Sequence, residues 1–254
     1  MYVSTRCNFQ DFSLVWLSVT NQEELVPTET YPKLTKELIK ELHLEKGIEM
    51  SMSAFLLETE NKKVLFDAGF FEKNIGIPQR LKELKISPEE IDYIFITHSH
   101  WDHIEGLIQN DNMVYKNAKI YISKEEFNGV IKKVKPDKVG LFEKVKKICE
   151  KQIIQFDFED TLPLGIVPIK AFGHTPGHTC YRKGDLLIIG DLIHGEKLQF
   201  KNPEICAVYD NDEELSIESR KKILKYAEEN KLFLAGHHLP NIHSGMYFEF
   251  YKNQ

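Results

Sequence analysis

The chain has 254 residues, 42% of them hydrophobic and 11% aromatic, which is enough apolar material to bury a sizeable core. Its 33 Lys and Arg against 39 Asp and Glu give a formal charge of -6 with no basic stripe, so composition argues against nucleic acid as a partner. No apolar run reaches the roughly 18 residues of a membrane-spanning helix. The N-terminus also lacks the charged, apolar and small-residue regions of a secretory signal, so no membrane partner and a cytoplasmic location are expected.

Cys7, Cys149, Cys180 and Cys206 form no C-x-x-C pair and read as reduced, buried thiols. With no low-complexity linker and no internal repeat, one domain spanning 1–254 is expected. Within it, residues 1–50 are an N-terminal strand and helix segment. There Leu34, Leu38 and Leu42 predict an amphipathic helix over 33–46 that stops at Gly47 and serves as lid, dimer contact or plain core packing. Apolar runs at 52–57 and 63–66, joined by a polar turn, predict a hairpin ending at Asp67-Ala68-Gly69. A helix follows near 79–85. Ser87-Pro88-Glu89-Glu90 then supplies a cap, a proline and first-turn acids, and the continuous apolar run 93–96 reads as a strand buried on both faces.

The second half repeats this grammar. Strands are predicted at 119–123, 153–158, 166–172, 185–189 and 232–235, and helices at 125–134, 139–149 and 212–230. Strands interleaved with helices in both halves argue for an α/β layered architecture.

Directly after the 93–96 strand comes Thr97-His98-Ser99-His100-Trp101-Asp102-His103, which packs three of the ten histidines and a carboxylate into seven residues. His98 and His100, two apart on extended chain, point to the same side, while Asp102 and His103 lie where the chain turns towards a helix. One loop can thus serve two metals. Three later loops, Gly173-His174-Thr175-Pro176-Gly177-His178, Gly190-Asp191 and Gly236-His237-His238, each follow an apolar strand and offer more imidazole and carboxylate. Those donors suit zinc, and two cations roughly 3.5 to 4 Å apart need a bridging anion such as Asp191.

This motif set resembles the metallo-β-lactamase superfamily from Ala54 onward. Gly190-Asp191-Leu192-Ile193-His194, Gln199-Phe200, Pro203-Glu204, Arg220 and His237-His238-Leu239-Pro240 are similar to its methyl parathion hydrolase-like branch, with N-acyl homoserine lactonases also close. The resemblance implies a four-layer αβ/βα sandwich of two mixed sheets flanked by helices. It also implies two divalent metals, with zinc favoured and iron or manganese as alternatives. His98, His100 and His178 would bind one; Asp102, His103 and the last histidine would bind the other, with Asp191 bridging. His238 is favoured over His237 as that last ligand. Asp102 and His194 are the catalytic candidates, Asp67 is a buttress or a turn residue, and His174 reads as a loop residue.

The implied activity is hydrolysis of an ester or lactone, with phosphotriester as a side activity, by a metal-bridging hydroxide on a small-molecule substrate; a homodimer is the candidate assembly. Di-iron redox chemistry and a non-catalytic metal-binding role are the competing readings. Histidine rather than glutamate at position 100 favours hydrolysis. Two departures stand out: Glu105-Gly106 replaces two glycines, and Asn241-Ile242 follows Leu239-Pro240.

Overall fold

The structure, a computed structural model, describes residues 5–19, 24–72, 75–132, 135–240 and 246–247, so Asn241 and Ile242 lie outside it. Backbone contacts group the chain into two compact units: residues 1–21, 52–128 and 134–157, and residues 22–51, 129–133 and 158–254. None of the described helices is long and apolar enough to cross a membrane.

The first unit is built on a seven-stranded mixed sheet. Its order is Arg6–Asn8, Ser13–Ser18, Ser53–Glu58, Lys63–Phe66, Tyr93–Phe95, Lys119–Ser123 and Ile153–Phe156. The first four pair antiparallel, and the last four pair parallel. Parallel neighbours require crossovers, which helices Ile77–Glu83, Lys124–Asn128 and Leu141–Ile148 provide. Ser13–Ser18, in the N-terminal segment where a strand was expected without stated bounds, has four of its six residues buried. The predicted cap at Ser87 is present as a full capping box, but it opens only the single 3-10 turn Pro88–Glu90.

The second unit holds a five-stranded mixed sheet ordered Val167–Lys170, Thr179–Lys183, Leu186–Gly190, Phe233–Gly236 and Met246–Tyr247. Leu186–Gly190 and Phe233–Gly236 are its parallel pair, linked by the long helix Glu213–Glu229, whose N-cap Asp212 accepts from Leu215 N–H. The helix expected over 33–46 covers only Lys36–Glu41, because the chain turns at His43 with φ 55°. Leu34, Leu38 and Leu42 pack with Tyr31, Leu44, Ile48 and Leu198, so their spacing serves a local core.

In both units the parallel strands end in the predicted polar loops, the end of an open α/β sheet where ligands bind. One glycine there is sterically required. A Cβ on Gly106 would lie 2.0 Å from the Ala68 carbonyl oxygen, and Gly106 N–H donates to Gly69 O at 2.8 Å. Glu105, by contrast, is half-buried and paired with Lys138 at 2.7 Å. Only Glu105 departs from the family's glycine pair, and the glycine that is kept, Gly106, is the one pressed against backbone. Gly106→Ala is expected to cost about 3 kcal/mol by overpacking, seen as a lower midpoint in urea denaturation, whereas Glu105→Gly should cost under about 1 kcal/mol.

Candidate metal centre

In the first unit, strand Lys63–Phe66 delivers Asp67 and strand Tyr93–Phe95 delivers Thr97 and His98. Asp67 is fully buried at φ 61°. It accepts from Thr97 N–H at 2.7 Å, from Thr97 Oγ1–H at 2.6 Å and from His103 Nδ1–H at 2.6 Å. Its alternative reading as a plain turn residue is thereby excluded. A carboxylate on Nδ1 fixes the tautomer of His103, leaving Nε2 unprotonated. With its own hydrogen spent on Asp67, Thr97 Oγ1 accepts from His98 Nδ1–H at 3.0 Å, which fixes His98 in the same tautomer.

His98 Nε2 then lies 3.0 Å from His100 Nδ1. Two donors about 2.0–2.1 Å from one zinc at a tetrahedral angle stand roughly 3.3 Å apart, so this pair has the spacing of ligands sharing an ion. Asp102 and His103 occupy the short helix Trp101–Ile104, with Asp102 Oδ2 3.8 Å from His103 Nε2. The first unit thus brings His98 beside His100 and Asp102 beside His103.

Ser99 and Trp101, for which the motif implies no ligand role, both have structural ones. Buried Glu126 accepts from Ser99 N–H at 2.8 Å and from its hydroxyl at 2.6 Å, anchoring the loop from the next strand's helix. Trp101 packs edge-on against Phe70 with centroids 4.8 Å apart, beneath the Lys135 and Lys138 ammonium groups.

In the second unit, Asp191 follows Gly190 at the end of strand Leu186–Gly190, and four histidines surround it. His178 Nδ1–H donates to Ala171 O at 3.1 Å, and its Nε2 accepts from Asp191 N–H at 3.0 Å. Asp191 Oδ2 lies 3.0 Å from His238 Nε2 and 3.3 Å from both His194 Nε2 and His174 Nε2. His238 Nδ1–H donates to Ser51 O at 2.9 Å, so its Nε2 lone pair faces a carboxylate oxygen. Two buried acceptors at that distance repel unless a cation or proton joins them. Of the two neighbouring histidines, it is His238 that faces Asp191. Ser51 also donates to Leu239 O at 2.5 Å, pinning the loop; no motif marks it.

His194 is fully buried, stacked on His238 with centroids 5.0 Å apart and at 4.8 Å from Tyr209. Burial lowers its pKa to about 4 against the opposing pull of Asp191, so the ring is neutral near pH 7. Gln199 holds its backbone, accepting from His194 N–H at 2.7 Å and from Gly195 N–H at 3.1 Å.

His174 departs from its reading as a loop residue. It is buried between two carboxylates, with Nδ1 2.8 Å from Asp210 Oδ1 and Nε2 3.3 Å from Asp191 Oδ2. Burial pulls its pKa down, but hydrogen bonds to Asp191 and Asp210 outweigh it and raise the value to about 9. No motif points to Asp210, which sits in a run of polar residues without periodicity.

Histidine and carboxylate donors gather at the ends of parallel strands, and His98, His103 and His238 are locked at Nδ1 so that Nε2 is left as an acceptor, the donor set of a metalloprotein. The comparisons agree. A family model described as the metallo-beta-lactamase superfamily matches residues 49–237, and the chain belongs to that superfamily. It is 31% identical over 159 residues to a probable metallo-hydrolase of Methanocaldococcus jannaschii, a match spanning 62% of this chain and 62% of that relative's length. It is 25% identical over 219 residues to an N-acyl homoserine lactonase from a Bacillus species, covering 75% of this chain and 82% of the relative. Among solved structures, the dizinc quorum-quenching lactonase AidC matches with a TM-score of 0.83 at 25% identity, covering 96% of this chain and 92% of the other. The hydrolase AbOPH matches at 0.81 and 26%, with the same coverage. The metallo-β-lactamase fold, the lactonase-like resemblance and the class of metal-dependent hydrolase expected from the motifs are borne out at the level of the superfamily.

Proposed function

We propose that the chain is a dinuclear, zinc-dependent hydrolase of lactones or carboxylic esters, with phosphotriesters as a side activity. His98, His100 and His174 hold one ion and Asp102, His103 and His238 the other, with Asp191 shared; His178, expected in the first set, has its Nε2 lone pair taken by Asp191 N–H. The observation that carries this reading is the set of Nδ1 locks, Thr97 on His98, Asp67 on His103, Asp210 on His174 and Ser51 on His238. Four buried imidazoles held in the same tautomer match the way proteins orient zinc ligands. The names of the lactonase relatives support the substrate class.

When bound, the two cations lower the pKa of water towards neutrality and polarise the electrophilic oxygen of the substrate. The chain's own groups do the rest. Asp102 takes a proton on a carboxylate oxygen and returns it to the leaving group. His194, neutral and buried, donates a hydrogen bond to the developing oxyanion without bringing a competing charge. Buried apolar side chains beneath the loops keep the ligands in place.

A screen over lactones, aryl esters, thioesters, phosphodiesters and phosphotriesters tests the reading. Lactone or ester turnover is expected, and turnover confined to phosphodiesters would replace it. Metal content discriminates the last ligand. His238→Ala should retain about one ion per chain, and His237→Ala should retain two.

A further inference from the structure

Beside His194 stand two phenols that belong to neither proposed ligand set. Val208 N–H donates to Thr30 O at 2.8 Å, and the next residue on each segment is a tyrosine, so Tyr209 and Tyr31 are brought side by side. The ring of Tyr209 meets His194 edge-on with centroids 4.8 Å apart, and His174 at 6.1 Å. Tyr31 is buried, and a Cβ on Gly195, the residue after His194, would lie 3.3 Å from its hydroxyl.

The hydrogens of this pair are poorly spent. The two hydroxyls face each other, and burial raises both phenol pKa values, so both remain donors at neutral pH. Tyr209 Oη–H reaches Met50 Sδ at 3.9 Å, whereas Tyr31 Oη has no partner of good geometry among the described residues. Two phenols carry two hydrogens. If Tyr31 donates to Tyr209, the Tyr209 hydrogen is left with a thioether, a weak acceptor. If Tyr209 donates to Tyr31, the Tyr31 hydrogen is left with nothing. Either way one strong donor lacks an oxygen to bind, in a buried place where an unmade hydrogen bond is costly. Tyr31 is closed off and Tyr209 is half-buried, so the hydrogen that can reach a ligand is that of Tyr209.

We propose that Tyr209 is a specificity-determining residue: with Tyr31 donating to it from behind, its hydroxyl binds a substrate carbonyl oxygen other than that of the scissile group. The inference rests on the lactone or ester reading above and narrows it to substrates that carry such a second oxygen. Hydrogen bonds in series polarise one another, so a hydroxyl that accepts from Tyr31 donates more strongly to the substrate. His194, the donor assigned to the oxyanion, touches the same ring, which puts the second oxygen on a substituent next to the scissile carbonyl.

The test uses the metal-loaded full chain and matched pairs of lactones and phenyl esters, in which an acetyl group beside the scissile carbonyl of one member replaces an isopropyl group in the other. In Tyr209→Phe, which keeps the ring against His194, kcat/KM for the acetyl member should fall about 3–10-fold through KM, and for the isopropyl member by less than about twofold. Comparing parent with variant on each substrate cancels the difference in intrinsic reactivity. Tyr31→Phe should reduce the same preference by a smaller factor. A merely structural pair would shift the melting temperature and lower turnover of both members by one common factor. Equal losses on the two members, or no loss on either, with a parent that hydrolyses them would overturn this inference alone. A metal-loaded parent that hydrolyses no lactone or ester would overturn the proposed function and this inference with it.

Discussion

Asp191→Ala is expected to lower kcat/KM for a lactone or ester at least about 10³-fold, the largest loss of any single substitution. Four histidines, His174, His178, His194 and His238, contact this residue, three through Oδ2 and one through its backbone N–H. On the proposed reading, removing it takes away the shared carboxylate and the negative charge that would offset two cations. Metal-assisted catalysis supplies several kcal/mol of charge stabilisation, and about 4 kcal/mol corresponds to roughly a thousandfold in rate. Steady-state kinetics together with metal analysis check this. A variant with two ions per chain and parental turnover would contradict it.

The largest effect on folding is expected at Asp67. Alanine there leaves Thr97 N–H, Thr97 Oγ1–H and His103 Nδ1–H without their acceptor in a fully buried place. Each orphaned buried donor costs about 1–3 kcal/mol. Alanine is also less at ease than aspartate in the left-handed region that Asp67 occupies. A loss of about 3–5 kcal/mol is expected, measured by urea denaturation of the metal-free protein. Asp67→Asn, which keeps the volume, should fold and bind metal about 10–100-fold more weakly because the His103 tautomer is no longer enforced. Parental stability in the alanine variant would contradict the stabilising role given to these three hydrogen bonds.

These two residues also show how much was legible beforehand. Asp191 could be singled out because it follows Gly190 and a buried strand, a pattern that survives in one dimension. The heptad Thr97 to His103 was legible for the same reason: period-two spacing on extended chain and a turn into a helix are local. Asp67 stayed ambiguous, since its three donors come from residues 97 and 103, brought to it by parallel pairing of strands 63–66 and 93–95. Ser51, Glu126 and Asp210 were missed for that reason too. Each binds a histidine or its loop from a distant part of the chain, and nothing in the neighbouring residues marks it.

Element lengths failed where tertiary contacts override periodicity. Leucines at 34, 38 and 42 suggested fourteen helical residues, but their burial against Tyr31 and Ile48 is met by the six of Lys36–Glu41 and a turn at His43. Edge strands such as Arg6–Asn8 and Glu24–Val26 are short and largely exposed, and so leave no alternating pattern to read.

The central claim is that the histidine and aspartate loops hold metal that hydrolysis needs. Its most direct measurement is metal content per chain alongside lactone and ester turnover, before chelation, after it and after zinc is restored. Two ions per chain are expected, with turnover lost on stripping and regained with zinc. Turnover unchanged in protein shown to contain no metal would contradict the account.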